Sequence, residues 1–421
     1  MKTLIIGSGG REHALFQAVS EGGGNAYFLP ERKSLPTAGV APSALLKDWS
    51  ALSDWLKKEK IRLVIIGPEQ PLVEGLGDFL KKQGFFVFGP SASAARLEGS
   101  KLFAKEFMKA QNIPTAPFQV VHSLSETLKA SENFSPPYVL KADGLAGGKG
   151  VFVCQTVKEL EDKAKSLFED KILGSAGEVA LLEEFQKGVE VSVFILTNGE
   201  DYCILPMAQD YKRLGEKNTG PNTGGMGATA PLSLPEKLME DIENSIIKPS
   251  VQGLKKNHYG YCGVLYIGLM VGQKGPRVLE YNVRFGDPEA QVLLPLLDGS
   301  WCEVFYQVSQ GKLPSLNWKN IHSACVVLAA GGYPGNPLKG EIIKGFIYHK
   351  TPHSYFLHAG VGQNEEGQWI VNGGRVLNSV AVGQTAEQAL KRAYEQMAKI
   401  SWEGLHYRKD IGSAGKSSFH F

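Results

Sequence analysis

The run Glu280-Tyr281-Asn282 sets two oxygen-bearing side chains two residues apart. On a strand, alternation puts Glu280 and Asn282 on one face and Tyr281 on the other. Two oxygen ligands on one face suit Mg²⁺, which is usually held by one or two protein groups while phosphates and water complete its shell. The next residues, Val283-Arg284-Phe285-Gly286-Asp287-Pro288, add a guanidinium and a carboxylate at the strand end. An Arg284–Asp287 ion pair is the plain structural alternative there.

Glycine-rich loops supply the complementary chemistry. Gly7-Ser8-Gly9-Gly10-Arg11-Glu12-His13 follows an apolar run and opens a helix, so its backbone can approach a phosphate with free N–H groups. A dinucleotide site would want glycine where Glu12 sits, although Glu31 could mimic the ribose-binding acid; an ordinary tight turn and a phosphate site for another ligand remain open. The stretch Asp143–Gly150, with Lys141 and Lys149, suits a flap over a polyphosphate, or else a surface hairpin. It is not a Walker A loop, because Lys149 is followed by Gly150. Glu183-Glu184-Phe185 and Glu190 could provide an adenine hinge and a ribose-binding carboxylate, or could be solvated acids on a half-buried strand. Asn218-Thr-Gly-Pro-Asn-Thr-Gly-Gly-Met-Gly227 reads as an ordered loop over a ligand, and Gln209-Asp210-Tyr211-Lys212-Arg213 before it suits a small zwitterion. His349, His353 and His358 lack helical spacing and acidic neighbours and are read as structural.

These groups need a scaffold. Thr3–Ile6, Ala26–Leu29, Arg62–Ile66 and Phe85–Phe88 alternate with helical patterns, the rhythm of an open parallel α/β sheet with ligand at the carboxyl ends of its strands. Lys101–Gln111 is a helix, and Pro137–Lys141 is a strand. Glu178–Phe185, Val189–Leu196, Tyr202–Ala208, Cys262–Val271 and Arg277–Val283 have the content of a largely antiparallel sheet, which makes the centre α+β. Ala324–Ala330 opens a third region that closes with a helix over Ala386–Ile400. The expected units are 1–100, 101–314 with a lid at about 115–185, and 315–421. A chain of 421 residues with 43% hydrophobic and 21% charged residues can build them, and neither a disordered nor a fibrous chain fits. The net charge of +2 gives no broad field for nucleic acid or an anionic membrane. Five scattered cysteines support no disulfide framework. No run approaches the roughly 18 apolar residues of a membrane span, and the reducing cytoplasm is the expected compartment.

Taken together, these pieces resemble the ATP-grasp ligases and, within them, the glycinamide ribonucleotide synthetase family. The resemblance runs almost end to end. It is carried by Gly7–Leu15, Gly67-Pro68-Glu69, Leu97-Glu98-Gly99-Ser100-Lys101, Lys141–Ala146, Gly220–Gly227, Asn282–Glu289, Asn372-Gly-Gly-Arg375 and Arg408-Lys409-Asp410-Ile411-Gly412. It implies a preATP-grasp, Rossmann-like first domain, an ATP-grasp domain with a mobile lid, and a small α+β C-terminal domain. It also implies a monomeric carbon–nitrogen ligase of purine biosynthesis that joins glycine to 5-phosphoribosylamine through glycyl phosphate. ATP would meet Lys101, Lys141, Gly147, Gly148, Lys149, Glu183, Glu184, Phe185 and Glu190, with Mg²⁺ or Mn²⁺ on Glu280 and Asn282. Arg284 would face the transferring phosphoryl group, and Asp210 or Asp287 the glycine ammonium. The remaining substrate contacts would be Gly9, Gly10, Arg11, Glu12, Pro68, Glu69, Lys212, Arg213, Asn222, Thr223, Gly224, Gly225, Met226, Arg375 and Lys409. The rivals are a ligase of the same superfamily acting on another amine, a Rossmann oxidoreductase, and a silent nucleotide-binding protein. Three positions depart from the family pattern: Glu31–Thr37 replaces a small-residue loop, Val189 stands where an acid often precedes Glu190, and Asn218 replaces a common Asp.

Overall fold

The computed structural model describes residues 1–30, 39–345, 347–348 and 350–413. The Glu31–Thr37 loop and His349 lie outside the described residues. The first region comprises β1 (Lys2–Ile6), α1 (Gly10–Glu21), β2 (Asn25–Leu29), β3 (Gly39–Val40), α2 (Trp49–Lys58), β4 (Leu63–Ile66), α3 (Glu69–Val73), α4 (Leu76–Lys82), β5 (Phe86–Phe88) and α5 (Ala92–Gly99). The strands pair in the order β3-β2-β1-β4-β5, all parallel. β1 and β4 are buried apolar runs, as strands covered on both faces must be. The chain winds outward from β1 to β3 and then returns to β4, so the loops leaving β1 and β4 diverge and open a crevice between them.

Next, α6 (Lys101–Ala110) leads into β6 (Phe118–Val121), α7 (Leu124–Ser131), β7 (Tyr138–Ala142), β8 (Val151–Cys154), α8 (Val157–Phe168) and β9 (Ala180–Glu184). Their antiparallel sheet has the order β6-β9-β7-β8. Val121, Leu140, Cys154, Leu160, Leu167 and Leu182 form a core of their own here, separate from the rest of the molecule. The stretch is the one over which a lid is expected.

The body follows with β10 (Val189–Thr197), β11 (Tyr202–Ile204), β12 (Gln209–Asp210), β13 (Arg213–Gly215), β14 (Thr219–Asn222), β15 (Gly227–Ala230), α9 (Glu236–Ile242), α10 (Lys248–Lys256), β16 (Gly263–Gly272), β17 (Gly275–Asn282), α11 (Glu289–Leu293) and α12 (Trp301–Ser309). The strand expected over Tyr202–Ala208 stops at Ile204, because Pro206 has no N–H for a ladder. An antiparallel sheet β11-β10-β16-β17 shares one core with the first region, in which Leu4 and Ile66 join Val191, Ile267 and Tyr281.

The last region contains β18 (His322–Ala329), β19 (Ser354–His358), β20 (Val361–Gln363), β21 (Trp369–Val371), β22 (Arg375–Gly383) and α13 (Ala386–Met397). Its sheet has the order β12-β15-β18-β22-β19, so two strands from the middle of the chain complete it. That pairing carries Asp210 and the 218–227 loop from the body to the C-terminal region. The five cysteines are free thiols, and no helix among the described residues is long and apolar enough to cross a membrane.

Candidate active site

The crevice between the β1 and β4 loops is where the first region meets the body. Glu12 is buried at the start of α1, where its Oε2 accepts the Gly9 N–H at 2.6 Å and its Oε1 accepts Arg11 Nε at 2.6 Å. It fills the space that Gly7 and Gly67 leave: a Cβ on Gly67 would lie 2.2 Å from Glu12 Oε1. An acid at the position where a dinucleotide fingerprint has glycine is therefore part of the turn. Gly10 is hemmed in by protein, since a Cβ would meet Asn378 Nδ2 at 2.4 Å and Gln291 Nε2 at 2.8 Å. Pro68 precedes α3 and Glu69 begins it.

Arg284 enters this crevice from the end of β17. Its Nη2 lies 2.6 Å from Glu98 Oε1 and its Nε 3.3 Å from Glu69 Oε2. The Arg284–Asp287 ion pair posed as an alternative is replaced by crossed pairs, with Asp287 Oδ2 3.1 Å from Arg375 Nη2. Burial opposes the Arg284 charge, yet Glu98 and Glu69 raise its pKa further. Burial pushes the Glu98 carboxyl up to about 7, with Arg284 opposing and Glu69 adding to the rise. For Glu69 and Asp287 burial also works upward, but Arg284 in one case and Arg375 with Arg11 in the other hold the carboxyls below their usual values. Glu98, quoted above only as part of a motif, thus joins the first region to the body, and its Oε2 also accepts the Val283 N–H at 2.8 Å.

Lysines gather where lid and body face each other. Glu183 Oε2, at the end of β9, lies 3.0 Å from Lys141 Nζ and 3.1 Å from Lys105 Nζ, while its buried Oε1 has no partner among the described residues. Lys105 was missed by sequence reasoning. It is 2% exposed on the same face of α6 as Ala104 and Met108, and a lysine in an apolar stripe was the available signal. Burial lowers its pKa to about 8 against the pull of Glu183. Burial also holds the Lys101 ammonium below its usual value against the pull of Glu280.

On β17, Glu280 and Asn282 share a face as the alternation requires, with Asn282 Nδ2 3.4 Å from Glu280 Oε1, and Tyr281 points into the core. Burial would raise the Glu280 carboxyl, but Lys212, Lys141 and Lys101 outweigh it and hold the pKa below the usual value. An ionised carboxylate and an amide side chain on one strand face, among ammonium groups that phosphates would neutralise, are groups that fit a divalent cation shared with phosphates. No group of three or more His, Cys, Asp or Glu side chains with metal-binding geometry occurs among the described residues.

Lys212 leaves the end of β12, forms a short ion pair with Glu190 and stands 4.0 Å from Asp210. Burial pushes the Asp210 carboxyl up to about 8, opposed by Lys212 and reinforced by Glu289 and Glu190. Glu289, buried at the start of α11, is raised in the same way by burial. It too was quoted only within a motif.

The loops divide into different environments. Gly147, Gly148 and Lys149 are exposed on the lid between β7 and β8. Glu184 ends β9, one residue short of the expected strand end at Phe185. On the opposite side, Arg375 Nη1 donates to the carbonyls of Gly224 and Asp287, both at 2.6 Å, and the Gly224 N–H donates to the Tyr333 hydroxyl at 2.9 Å. Thr223 Oγ1 and N–H both reach the Lys212 carbonyl at 2.7 Å. Asn222 is exposed, and Arg213 donates to the Gly220 carbonyl. Two expected substrate contacts lie in contrasting environments. Met226 is fully buried, its backbone held between Tyr211 and Val327, so its side chain packs beneath the loop. Lys409 is exposed, whereas its neighbour Arg408 is the buried, bonded residue of that motif. His358 is buried, its N–H donating to His13 Nδ1 at 2.7 Å, in keeping with a structural role.

Comparison with known proteins places this geometry. Models of the phosphoribosylglycinamide synthetase N domain, ATP-grasp (A) domain and C domain match residues 1–98, 99–290 and 323–414. The phosphoribosylamine–glycine ligase of Caldanaerobacter subterraneus subsp. tengcongensis is 39% identical over 418 residues, covering 98% of this chain and 100% of the relative. The crystal structure of a phosphoribosylamine–glycine ligase from Thermotoga maritima is similar with a TM-score of 0.86 and 36% identity, covering 97% of this chain and 100% of that one. The biotin carboxylase domain of Hydrogenobacter thermophilus 2-oxoglutarate carboxylase, solved with MgADP, shares the fold at a TM-score of 0.75 and 17% identity, covering 99% of this chain and 96% of that one.

Proposed function

The chain belongs to the phosphoribosylglycinamide synthetase family, and from that premise we propose how its cleft works. It is an ATP-dependent carbon–nitrogen ligase that joins glycine to 5-phosphoribosylamine, giving glycinamide ribonucleotide, ADP and phosphate in purine biosynthesis. One observation carries the layout of the site: Glu280 and Asn282 on one strand face, with Lys101, Lys141 and Lys212 acting on the Glu280 carboxylate.

ATP lies between lid and body. Lys101 and Lys141 neutralise its phosphates, and Lys149 descends on them with the 143–150 loop. The unpartnered Glu183 Oε1 accepts from the exocyclic amine of adenine, Glu184 and Phe185 supply the hinge, and Glu190 accepts a ribose hydroxyl. Glu280 and Asn282 would hold Mg²⁺ or Mn²⁺, which when bound supplies charge for the phosphate oxygens. Asp210, enclosed and raised to about 8, ionises most easily when a cation arrives, which suits the glycine ammonium. Asp287 is already committed to Arg375 and serves that pocket as structure.

A glycine carboxylate oxygen attacks the γ-phosphorus as the bond to the ADP oxygen breaks, giving glycyl phosphate. The phosphoribosylamine nitrogen then attacks the carbonyl carbon, phosphate leaves and the nitrogen loses a proton. Arg284 faces the transferring phosphoryl group, and Arg11, Glu69 and Arg375 line the phosphoribosylamine side. Positioning and charge stabilisation do most of the work. The enzyme acts as a monomer in the cytoplasm.

The test is phosphate release with ATP, glycine and freshly generated phosphoribosylamine. Glu280→Ala should lower turnover by roughly a thousandfold or more, as loss of a phosphate-end anchor does, while adenine nucleotide still binds weakly. Near-normal turnover in the folded variant removes Glu280 from the reaction.

A further inference from the structure

Arg408 is 1% exposed, far from the phosphate lysines in sequence, and its guanidinium is almost fully used. Nε and Nη2 each reach one carboxylate oxygen of Asp410 at 2.8 Å, a bidentate pair. Nη1 donates to the Arg213 carbonyl at 3.1 Å and to Asn218 Oδ1 at 3.0 Å. The cation also lies 5.2 Å from the centre of the Tyr211 ring. Asp410 Oδ2 accepts the Lys217 N–H at 2.8 Å, and His406 Nε2 meets the Leu214 carbonyl at 3.0 Å. The C-terminal segment therefore grips the β13–β14 hairpin at its first strand and at its apex.

The hairpin's own ladder is short. Its two strands pair through Arg213 with Asn222 and Gly215 with Thr219, with an irregularity between, and an isolated two-stranded ribbon is marginal in water. Its apex residues Lys217 and Asn218 have φ of 55° and 57°, a conformation that persists only where surroundings enforce it. At its base, Arg213 adjoins Lys212, whose ammonium stands among Glu190 and Asp210.

We propose that Arg408 is a positioning residue for the ligase reaction: with Asp410 it fixes the 213–222 hairpin so that Lys212 stays between Glu190 and Asp210 on the glycine side of the cleft. This rests on the reading of the cleft given above. The covalent steps are unchanged, and Arg408 touches neither substrate.

Truncating Arg408 also opens a buried site, so the decisive variant is Asn218→Gly, which deletes one exposed acceptor and keeps a residue that tolerates the positive φ. Hydrogen exchange at the 213–223 amides should quicken by roughly tenfold or more, and KM for glycine should rise by roughly tenfold, the effect of losing one hydrogen bond to a charged group. KM for phosphoribosylamine should stay at its wild-type value, and Tm should fall by no more than about a few degrees. Asn218→Asp keeps the acceptor and should restore both readouts. Faster exchange with an unchanged glycine KM, or no change in either, overturns the proposal. A wild-type protein without glycine-dependent phosphate release instead contradicts the reading of the cleft, and the exchange result stands apart from it.

Discussion

The two glycine-rich loops over the cleft, 143–150 and 218–227, read in sequence as a flap and as an ordered loop, and they differ in what their glycines face. A Cβ on Gly147 or Gly148 would meet nothing within 4 Å. A Cβ on Gly225 would lie 2.4 Å from Pro288 Cδ, and one on Gly227 would lie 2.7 Å from the Cys325 carbonyl oxygen. At the tip of the first loop glycine serves freedom, whereas at its ends Gly144 and Gly150 are packed, a Cβ there lying 2.8 Å from Ala176 Cα and 2.9 Å from Ala146 Cβ; in the second loop Gly225 and Gly227 serve close approach. The first loop belongs to the β6–β9 unit with its own core, and the second is bonded to Arg375, Tyr333 and Lys212. A loop that admits and releases a nucleotide needs low local stability, whereas one that fixes a small substrate between reacting groups needs the reverse.

Gly225→Ala should break the packed loop. Its φ of 114° and the contact with Pro288 together cost roughly 2–5 kcal/mol. Thermal unfolding should show the loss and phosphate release should fall with it; an unchanged Tm would mean the loop is not packed as described.

Lys105→Met separates the lid's anchoring from its loop's freedom. Breaking a buried pair costs about 3–5 kcal/mol, and retention of Lys141 by Glu183 puts this variant at the low end. KM for ATP should rise with little effect on KM for glycine. In the wild type, KM for ATP should climb above pH 8 as Lys105 loses its proton, and Lys105→Arg should flatten that climb. Stability runs the other way. Between about 8 and 10.5 the unfolded chain binds this proton more tightly than the native state, so this group's contribution to stability rises with pH. An ATP KM flat across pH 7–9.5 would detach Lys105 from nucleotide binding.

Gly148→Ala should do least. Only its φ of 78° opposes the change, at about 1 kcal/mol, so steady-state kinetics should move by less than roughly threefold. A loss as large as that of Gly225→Ala would show that the first loop is packed after all.

Much of this was legible in the sequence wherever one local pattern had one physical meaning. Apolar runs between helical stretches gave the parallel sheet, and alternation along Gly275–Asn282 put Glu280 and Asn282 together. Charge partnering was not legible, because Arg284 finds Glu69 and Glu98 more than 180 residues away in sequence. Nor was the sheet that joins β15 to β18, whose partners Ala228 and Cys325 lie far apart along the chain. Lys105 was passed over because a lysine on a helix usually faces solvent, and only its apolar neighbours marked it as buried. Flap and ordered loop were told apart, but which of their glycines leave room was not legible, since whether a missing Cβ leaves room or admits a neighbour depends on what folds against it.

Hydrogen exchange over both loops in one protein, with and without a non-hydrolysable ATP analogue and Mg²⁺, tests the contrast most directly. The 145–148 amides at the tip of the first loop should exchange fast in the free enzyme and slow markedly with nucleotide, while the 223–227 amides stay protected in both states. Equal protection of the two loops without nucleotide, or slowing confined to 223–227 when it is added, would contradict the account.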